Sequence, residues 1–348
     1  MHGGVGMEDF IGRRDLLDPA ELRALSARSD LRGLVQLGSH VLALGVSGFG
    51  LYASLGTAWV VPFFLAHGVL LNFLYAGQHE MSHWTAFRSR WLNEVAGSAI
   101  GFVVLYPKGF DRLQHFAHHR HTQDPERDGE LLGRPAYTPF SYLIYVTGPA
   151  YWYFRARRIT RHALGLAPEP FISAIDRPRV VAEARWHVAG YAAILAASLI
   201  TGSWAAVLYW LAPLLATKGV HQLQNTIEHL GMSRVNRTLA NTRSTRTNAV
   251  MRWLCWNMQY HTAHHTFPSV PFHQLAPLHR RIVSVLGGEP ATMSYLGFQW
   301  AFVRALFARG SEAAYAQDET WVGPRGQPDR GQPDSGQPDE AGATHATA

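Results

Sequence analysis

Residues 34–56, LVQLGSHVLALGVSGFGLYASLG, and residues 57–77 form two charge-free apolar blocks, joined around Ser54 to Thr57. A bilayer core of roughly 30 Å needs about 20 helical residues, and each block has that length. A second pair, 181–200 and 204–224, meets at Thr201-Gly202-Ser203-Trp204. In hydrocarbon a backbone must satisfy its own polar groups, so blocks of this length predict helices paired into hairpins. Composition agrees: 47% of residues are hydrophobic and 16% charged, against about 25% charged in soluble proteins. Two shorter apolar stretches, 95–106 and 138–154, are too short or too broken at Gly148-Pro149 to span, and read as re-entrant or interfacial segments.

Arginine sets the orientation. The turns inside each pair lack Lys and Arg, whereas 85–135, 155–186 and the region after 230 are rich in Arg. By the positive-inside rule those regions and both termini are cytoplasmic, which in a bacterial cell means the inner or plasma membrane. The expected architecture is all-α and integral to the membrane. It has four transmembrane helices in two hairpins, under a cytoplasmic helical cap. Residues 1–33 form a cytoplasmic N-terminal segment without the apolar region of a signal peptide, with a short helix opening near Asp18-Pro19. Residues 34–310 form the membrane domain. From 311 to 348 the chain is polar, with three Gly-Gln-Pro-Asp copies at a five-residue period, and is expected to be disordered. The net charge of +6 is spread between apolar blocks rather than gathered on one module, so no nucleic-acid partner is expected. The single cysteine, Cys255, leaves no disulfide framework and no cysteine-ligated cluster.

The 19 histidines are the second constraint. QHEMSHW places His79 and His83 four residues apart at the end of the second block. HFAHHRH supplies His115, His118 and His119, and HTAHH repeats that spacing at His261, His264 and His265. Positions i, i+3 and i+4 share one helical face. HQLQNTIEHLG ends the fourth block with His221, Asn225 and His229 at four-residue steps. One such pair is ordinary; four clusters on one side of a membrane point to metal. Neutral imidazole suits zinc, copper, iron and nickel. A mononuclear zinc site takes three or four protein ligands, so nine candidates fit two metals better. A redox metal also suits a site at the end of an apolar bundle, where a lipid chain can enter.

HEMSH, HFAHH and HTAHH resemble the three histidine boxes of the membrane-bound fatty acid desaturase family, which also contains hydroxylases and relatives acting on carotenoids and sphingoid chains. WNMQYHTAHHTFPSVPFHQLAPLH resembles the third box of bacterial members, RWLNEVAG and HHRHTQDPERD resemble segments beside the first two, and the likeness covers roughly 35–285. The resemblance implies two iron ions, dioxygen as co-substrate, a lipid or acyl-chain substrate, and a separate electron donor, ferredoxin or cytochrome b5-like with its reductase. It implies as metal ligands His79, His83, His115, His118, His119, His261, His264 and His265, with His229 as the ninth and Asn225 acting through a water. NTIEHLG also resembles a segment of membrane alkane hydroxylases, which leaves Glu228 either a support for a ligand or a bystander.

His221, one turn deeper, belongs either beside the ligands or to the core. Asp124 and Asp128 in DPERD are placed to hydrogen-bond ligand imidazoles, or else form a charged turn; the family's second Asp-Pro is Asp128-Gly129 here. His121 is out of phase with its box. His40, His67, His162, His187, His273 and His279 read as structural, and Trp84, Trp91 and Trp256 as an interfacial belt. The implied chemistry is oxygen-dependent attack on an unactivated C–H bond, giving a cis double bond in an acyl chain. The alternatives are hydroxylation or ketolation of a lipid, alkane or carotenoid by the same site, or a non-catalytic metal-binding membrane protein.

Overall fold

The computed structural model describes residues 16–235, 237–316 and 318–323. The short first helix, α1 (Pro19–Leu25), is capped by Asp18, which accepts from Ala20 N at 2.9 Å. Helix α2 (Asp30–Ala53) contains the first expected span. Asp30 at its start accepts from the backbone and hydroxyl of Ser89 at 2.8 and 2.7 Å, fixing the helix to the loop beyond the first histidine pair. Its apolar side chains, among them Leu34, Val35, Leu42, Val46 and Phe49, are exposed, as lipid-facing residues are.

Helix α3 (Val60–Ser82) runs five residues past the expected end of the second block, so His79 lies on its last turn and His83 caps it. From Leu71 onward it is mostly buried, because α2 and the helices at Arg90–Val103, Lys108–Arg120, Ala212–Ala216, Lys218–Asn225 and Ala249–Leu254 surround it. Close approach to α2 is possible because Gly50 has no side chain: a Cβ there would lie 2.2 Å from the Phe63 ring. The Gly-rich run at 45–50 is thus a packing surface.

Helix α4 (Arg90–Val103) has 14 residues, about 21 Å at about 1.5 Å per residue, well short of a bilayer core. Helix α5 (Lys108–Arg120) returns against α3. Helices α6 (Pro139–Thr147) and α7 (Pro149–Ala163) meet at Gly148, whose φ of 92° breaks the expected apolar stretch. Helix α8 (Arg177–Thr201) covers the third block in 25 residues, but its first third carries Arg177, Arg179, Glu183 and Arg185.

The fourth block is not one helix. It divides into a π-helical turn (Val207–Leu211), α9 (Ala212–Ala216) and α10 (Lys218–Asn225). Pro213, which lacks an N–H and clashes with the preceding turn, accounts for the break. Asn72 of α3 donates to Leu214 O at 2.8 Å and Thr217 Oγ1 at 3.0 Å, bonding the interrupted backbone. Gly68 makes the contact possible, since a Cβ there would lie 2.2 Å from Pro213 O. Among the described residues two helices, α2 and α3, are long and apolar enough by themselves to cross a membrane, rather than the four expected.

The later helices are α11 (Thr238–Asn241), α12 (Ala249–Leu254), α13 (His261–Thr266), α14 (Leu275–Leu286) and α15 (Tyr295–Arg309). The chain is mostly helical but not all-α: β1 (Ser244–Arg246) and β2 (Thr292–Ser294) pair in parallel, Ser244 opposite Thr292. The polar segment expected from residue 311 begins packed. Glu312 is buried and takes both Nη atoms of Arg134 at 2.9 and 3.0 Å, while Val322 is 2% exposed and its carbonyl accepts from the buried Arg243. The Gly-Gln-Pro-Asp copies lie outside the described residues.

Candidate metal centre

Each histidine box sits on a short, firmly held piece of helix. His79 and His83 lie on the same face at the end of α3. His115, His118 and His119 line the face of α5 that turns towards them. This orientation is fixed by Asp111, which accepts from Tyr75 Oη at 3.0 Å, Gln78 Nε2 at 3.1 Å and Ser82 Oγ at 3.2 Å, all on α3. Burial, partly opposed by these bonds, raises the Asp111 carboxyl to about 6. His261, His264 and His265 occupy the single six-residue helix α13. Residues in the left-handed region bound every box: Trp84 (φ 57°) after the first, Gln123 (71°) after the second, Trp256 (50°) and Asn257 (59°) before the third. Side chains hold them: Trp84 Nε1 donates to Glu94 at 2.5 Å, Gln123 Nε2 to His229 O at 2.5 Å, and Asn257 Nδ2 to Phe272 O at 3.1 Å.

The nine expected ligand histidines gather into two groups. His79, His83, His115, His119 and His264 form one; His118, His229, His261 and His265 form the other, and within each the donor atoms lie within 4.8 Å of one another. His119 and His265, one from each group, stack at 4.1 Å between ring centroids. Several Nε2 atoms face each other directly: His115 and His83 at 2.9 Å, His119 and His115 at 2.9 Å, His261 and His229 at 2.7 Å. Both nitrogens of His264 and Nε2 of His265 are buried without a partner among the described residues. Converging imidazole nitrogens fit cations: a buried polar atom left unpaired is costly, and a metal would satisfy several at once. Burial first and neighbouring imidazoles second hold His115, His119, His261, His264 and His265 well below the usual range, and His229 down to about 3. They are neutral, as metal ligands must be.

His118 differs. Burial pushes it down, but the Asp128 carboxylate, with Glu130 and Glu228 behind it, lifts it to about 9, so the ring is protonated until a cation displaces the proton on Nε2. Asp128 is 1% exposed and sits 2.9 and 3.0 Å from His118 Nδ1, making that nitrogen the donor and leaving Nε2 towards His229 at 3.1 Å. Glu228 Oε1 lies 3.8 Å from His261 Nδ1 and accepts from Gln224 at 3.0 Å; burial raises its carboxyl to about 8.

Two of the four expected supports lie elsewhere. Asp124 is the charged turn instead, accepting from Glu126 N, Arg127 N and Arg127 Nε at 2.9, 3.2 and 2.6 Å. His221 contacts Lys218 Nζ at 3.1 Å and the Tyr75 ring at 5.5 Å rather than a ligand histidine. Three supports went unread in the sequence. Glu130 lies 3.3 Å from His115 Nδ1, Thr122 Oγ1 3.4 Å from His265 Nδ1, and the Asn241 carbonyl 3.0 Å from His229 Nδ1. The acidic spacing Asp128-Gly129-Glu130 was a signal for the first; a backbone carbonyl leaves none. Trp256 is 1% exposed against Phe272 and Gly77, so it belongs to the core, not to a belt. His40, His67, His162, His187 and His279 bond local partners away from both groups.

A cavity of about 130 Å³ touches both groups through His79, His115, His118, His229 and His261, and is walled opposite by Tyr75, Tyr145, Arg134, Asn225 and Glu228. Asn225 thus borders the open space beside the histidines, at the end of α10.

The model of the family described as "Fatty acid desaturase" matches residues 28–297. The chain is 25% identical over 298 residues to an sn-1 oleoyl-lipid 12-desaturase of Picosynechococcus sp., covering 77% of this chain and 82% of that protein. It is 29% identical over 266 residues to the sphingolipid delta(4)-desaturase/C4-monooxygenases of Bos taurus and Homo sapiens, covering 71% of this chain and 74% of each. With the histidine groups converging as they do within the matched span, the chain belongs to the fatty acid desaturase family and is an oxidoreductase associated with membranes through its apolar helices.

Proposed function

We propose that this protein holds two iron ions and uses dioxygen to introduce a cis double bond into the acyl chain of a lipid. The observation that carries the reading is the division of nine histidines, six buried and three half-buried, into a set of five and a set of four, each compact enough for one ion. His79, His83, His115, His119 and His264 would hold one ion; His118, His229, His261 and His265 the other, with Asn225 reaching it through water. When bound, the pair supplies reduction of dioxygen and removal of hydrogen from an unactivated C–H bond. The chain supplies the rest. Asp128 fixes the tautomer of His118. The cavity beside both groups receives the chain, and its Tyr75 and Tyr145 walls orient it. Buried side chains such as Trp256 and Phe87 exclude water from behind the boxes.

Electrons come from a separate protein, a ferredoxin or a cytochrome b5-like donor. In our reading α8 and the broken 204–225 segment form the second membrane hairpin, with the histidine groups and both termini cytoplasmic. The charge-free turns at 54–57 and 201–204 and the exposed apolar residues Leu195, Leu199 and Ile200 support it. Residues 34–310 act as the membrane domain and the Gly-Gln-Pro-Asp copies as a solvated tail. Hydroxylation stands second, favoured by relatives whose name includes a C4-monooxygenase.

Lipid profiling after expression in a host without its own desaturase tests this. Unsaturated chains formed with oxygen and not without it are the expected result; hydroxylated lipid moves the second reading ahead, and neither product refutes both.

A further inference from the structure

Near Tyr75 lie two buried basic side chains without a carboxylate partner. Arg155 of α7 is 7% exposed and Lys218 of α10 is 4% exposed. Among the described residues neither forms a salt bridge. Arg155 Nη2 donates to Tyr151 Oη at 2.6 Å, while its Nη1 is buried with no partner, as is the nearby indole nitrogen of Trp152. The three N–H bonds of Lys218 find one acceptor, His221 Nδ1 at 3.1 Å. Rings offset part of the burial: Arg155 lies 3.0 Å over the Tyr106 centroid, and Lys218 4.0 Å over that of Tyr151. Rings do not use in-plane N–H donors, however, and buried charges are otherwise paired or hydrogen-bonded. Asp111, the nearest carboxylate acting on Arg155, is already engaged by Tyr75, Gln78 and Ser82.

Tyr75 stands between the cluster and the cavity. This side chain lines the cavity, and its ring lies 5.6 Å from Tyr106 and 5.5 Å from His221. Tyr151 and Trp152 are only half-buried, so the cluster is not sealed. The corner at Gly148 favours it: with φ at 92° a side chain there would be strained, and its Cβ would lie 3.2 Å from Lys218 Cβ.

We propose that Arg155, Lys218 and Trp152 bind the oxyanion headgroup, carboxylate or phosphate, of the amphiphile whose chain enters the cavity beyond Tyr75. This rests on the lipid-desaturase reading and adds to it the class of headgroup. A ligand bearing such a group fills the unused donors with charge-assisted hydrogen bonds.

The test is equilibrium binding to the full-length protein in detergent, using radiolabelled palmitic acid with competition by methyl palmitate, lysophosphatidic acid and inorganic phosphate. The acid or the lysophosphatidic acid binds at least about tenfold tighter than the ester, as expected for one charge-assisted bond. Lys218→Met and Arg155→Gln each remove that margin and leave ester affinity unchanged. If Arg155→Gln does not fold, Lys218→Met alone decides. Equal binding of acid and ester, or a margin surviving in Lys218→Met with only a lower melting temperature, overturns the proposal and makes the pair a prop between α7 and α10. Competition by inorganic phosphate as strong as by lysophosphatidic acid overturns it in favour of a free-ion site. The two readings fail separately. Oxygen-dependent unsaturation without an acid margin removes the headgroup site alone; an acid margin with no lipid product removes the desaturase reading alone.

Discussion

Replacing Asp128 by Asn changes one atom and should empty half of the metal centre. The carboxylate is buried and fully used: Oδ1 accepts from Glu130 N at 2.8 Å, Oδ2 from Gln123 N at 2.9 Å, and both face His118 Nδ1 at 2.9 and 3.0 Å. An asparagine has one acceptor oxygen. Whichever way it turns, its NH₂ opposes a backbone N–H, and a buried group left unsatisfied costs about 1–3 kcal/mol. The charge that fixes His118 also disappears, and loss of such a partner typically weakens metal binding by about 10–100-fold. The effect should be confined to the set of His118, His229, His261 and His265. Purified Asp128→Asn should therefore fall from near two irons towards one when titrated with a chelator that leaves the wild type loaded. Iron would be counted by mass spectrometry, with thermal unfolding followed in parallel. A variant that keeps both irons under that chelator and melts like the wild type would refute the reasoning.

His264→Ala, which removes a ring with both nitrogens unpartnered, should lose iron from the five-histidine set and all oxygen-dependent product; full metal content counts against that set. Asn225→Ala should retain most iron, since an amide beside nine imidazoles adds little, yet lose most turnover; unchanged activity would make it a packing residue. Cysteines at exposed Ala58 and Ser203 should be labelled by an impermeant reagent from outside the cell, and at exposed Glu126 and Arg157 only from inside, against the buried Cys255 as background; outside labelling at Glu126 removes the proposed topology. Glu312 resists burial through Arg134, the Tyr137 amide and Arg234, which hold its carboxyl below the usual 4.5. Its folded value is thus depressed, so it stabilises above about pH 4.5 and that contribution is lost as pH falls through the folded value. Glu312→Gln should flatten the acid arm of the stability curve and lower stability near neutral pH by about 3–5 kcal/mol, the loss typical of one partner of a buried pair. An acid arm like the wild type's would contradict it.

Much of this site was legible because metal ligation writes itself into spacing. Positions i, i+3 and i+4 on α5 and α13 decided which rings face inward, and nothing in the tertiary structure altered that. His229 was marked by its step from Asn225 and became a ligand candidate through the family resemblance. The supports were harder, because a hydrogen bond to an outer imidazole nitrogen depends on where a loop turns: Asp124 and Asp128 are equivalent in sequence, yet the turn at Gln123 sends one inward and the other to solvent. Membrane spans were only half legible. Apolar composition marked 204–224, but Pro213 and Lys218 lay inside it and signalled a break with a buried charge. The β1–β2 pairing spans 48 positions from Ser244 to Thr292 with three residues on each side, too little pattern to announce itself.

The left-handed residues that bound the boxes bear on how such a protein can be redesigned. An L-residue in that conformation gives up about 1–2 kcal/mol, so Trp84, Gln123, Trp256 and Asn257 persist because their side chains anchor the turns that aim the histidines. Glycine would relieve the backbone at each while releasing the anchor, and a β-branched residue would oppose the turn outright. Libraries meant to alter chain length or regiochemistry should therefore leave these four positions fixed, along with Tyr75 and its bond to Asp111, and vary the cavity wall at Tyr145 and Thr226, where side chains change the shape of the space without moving the metal-binding rings.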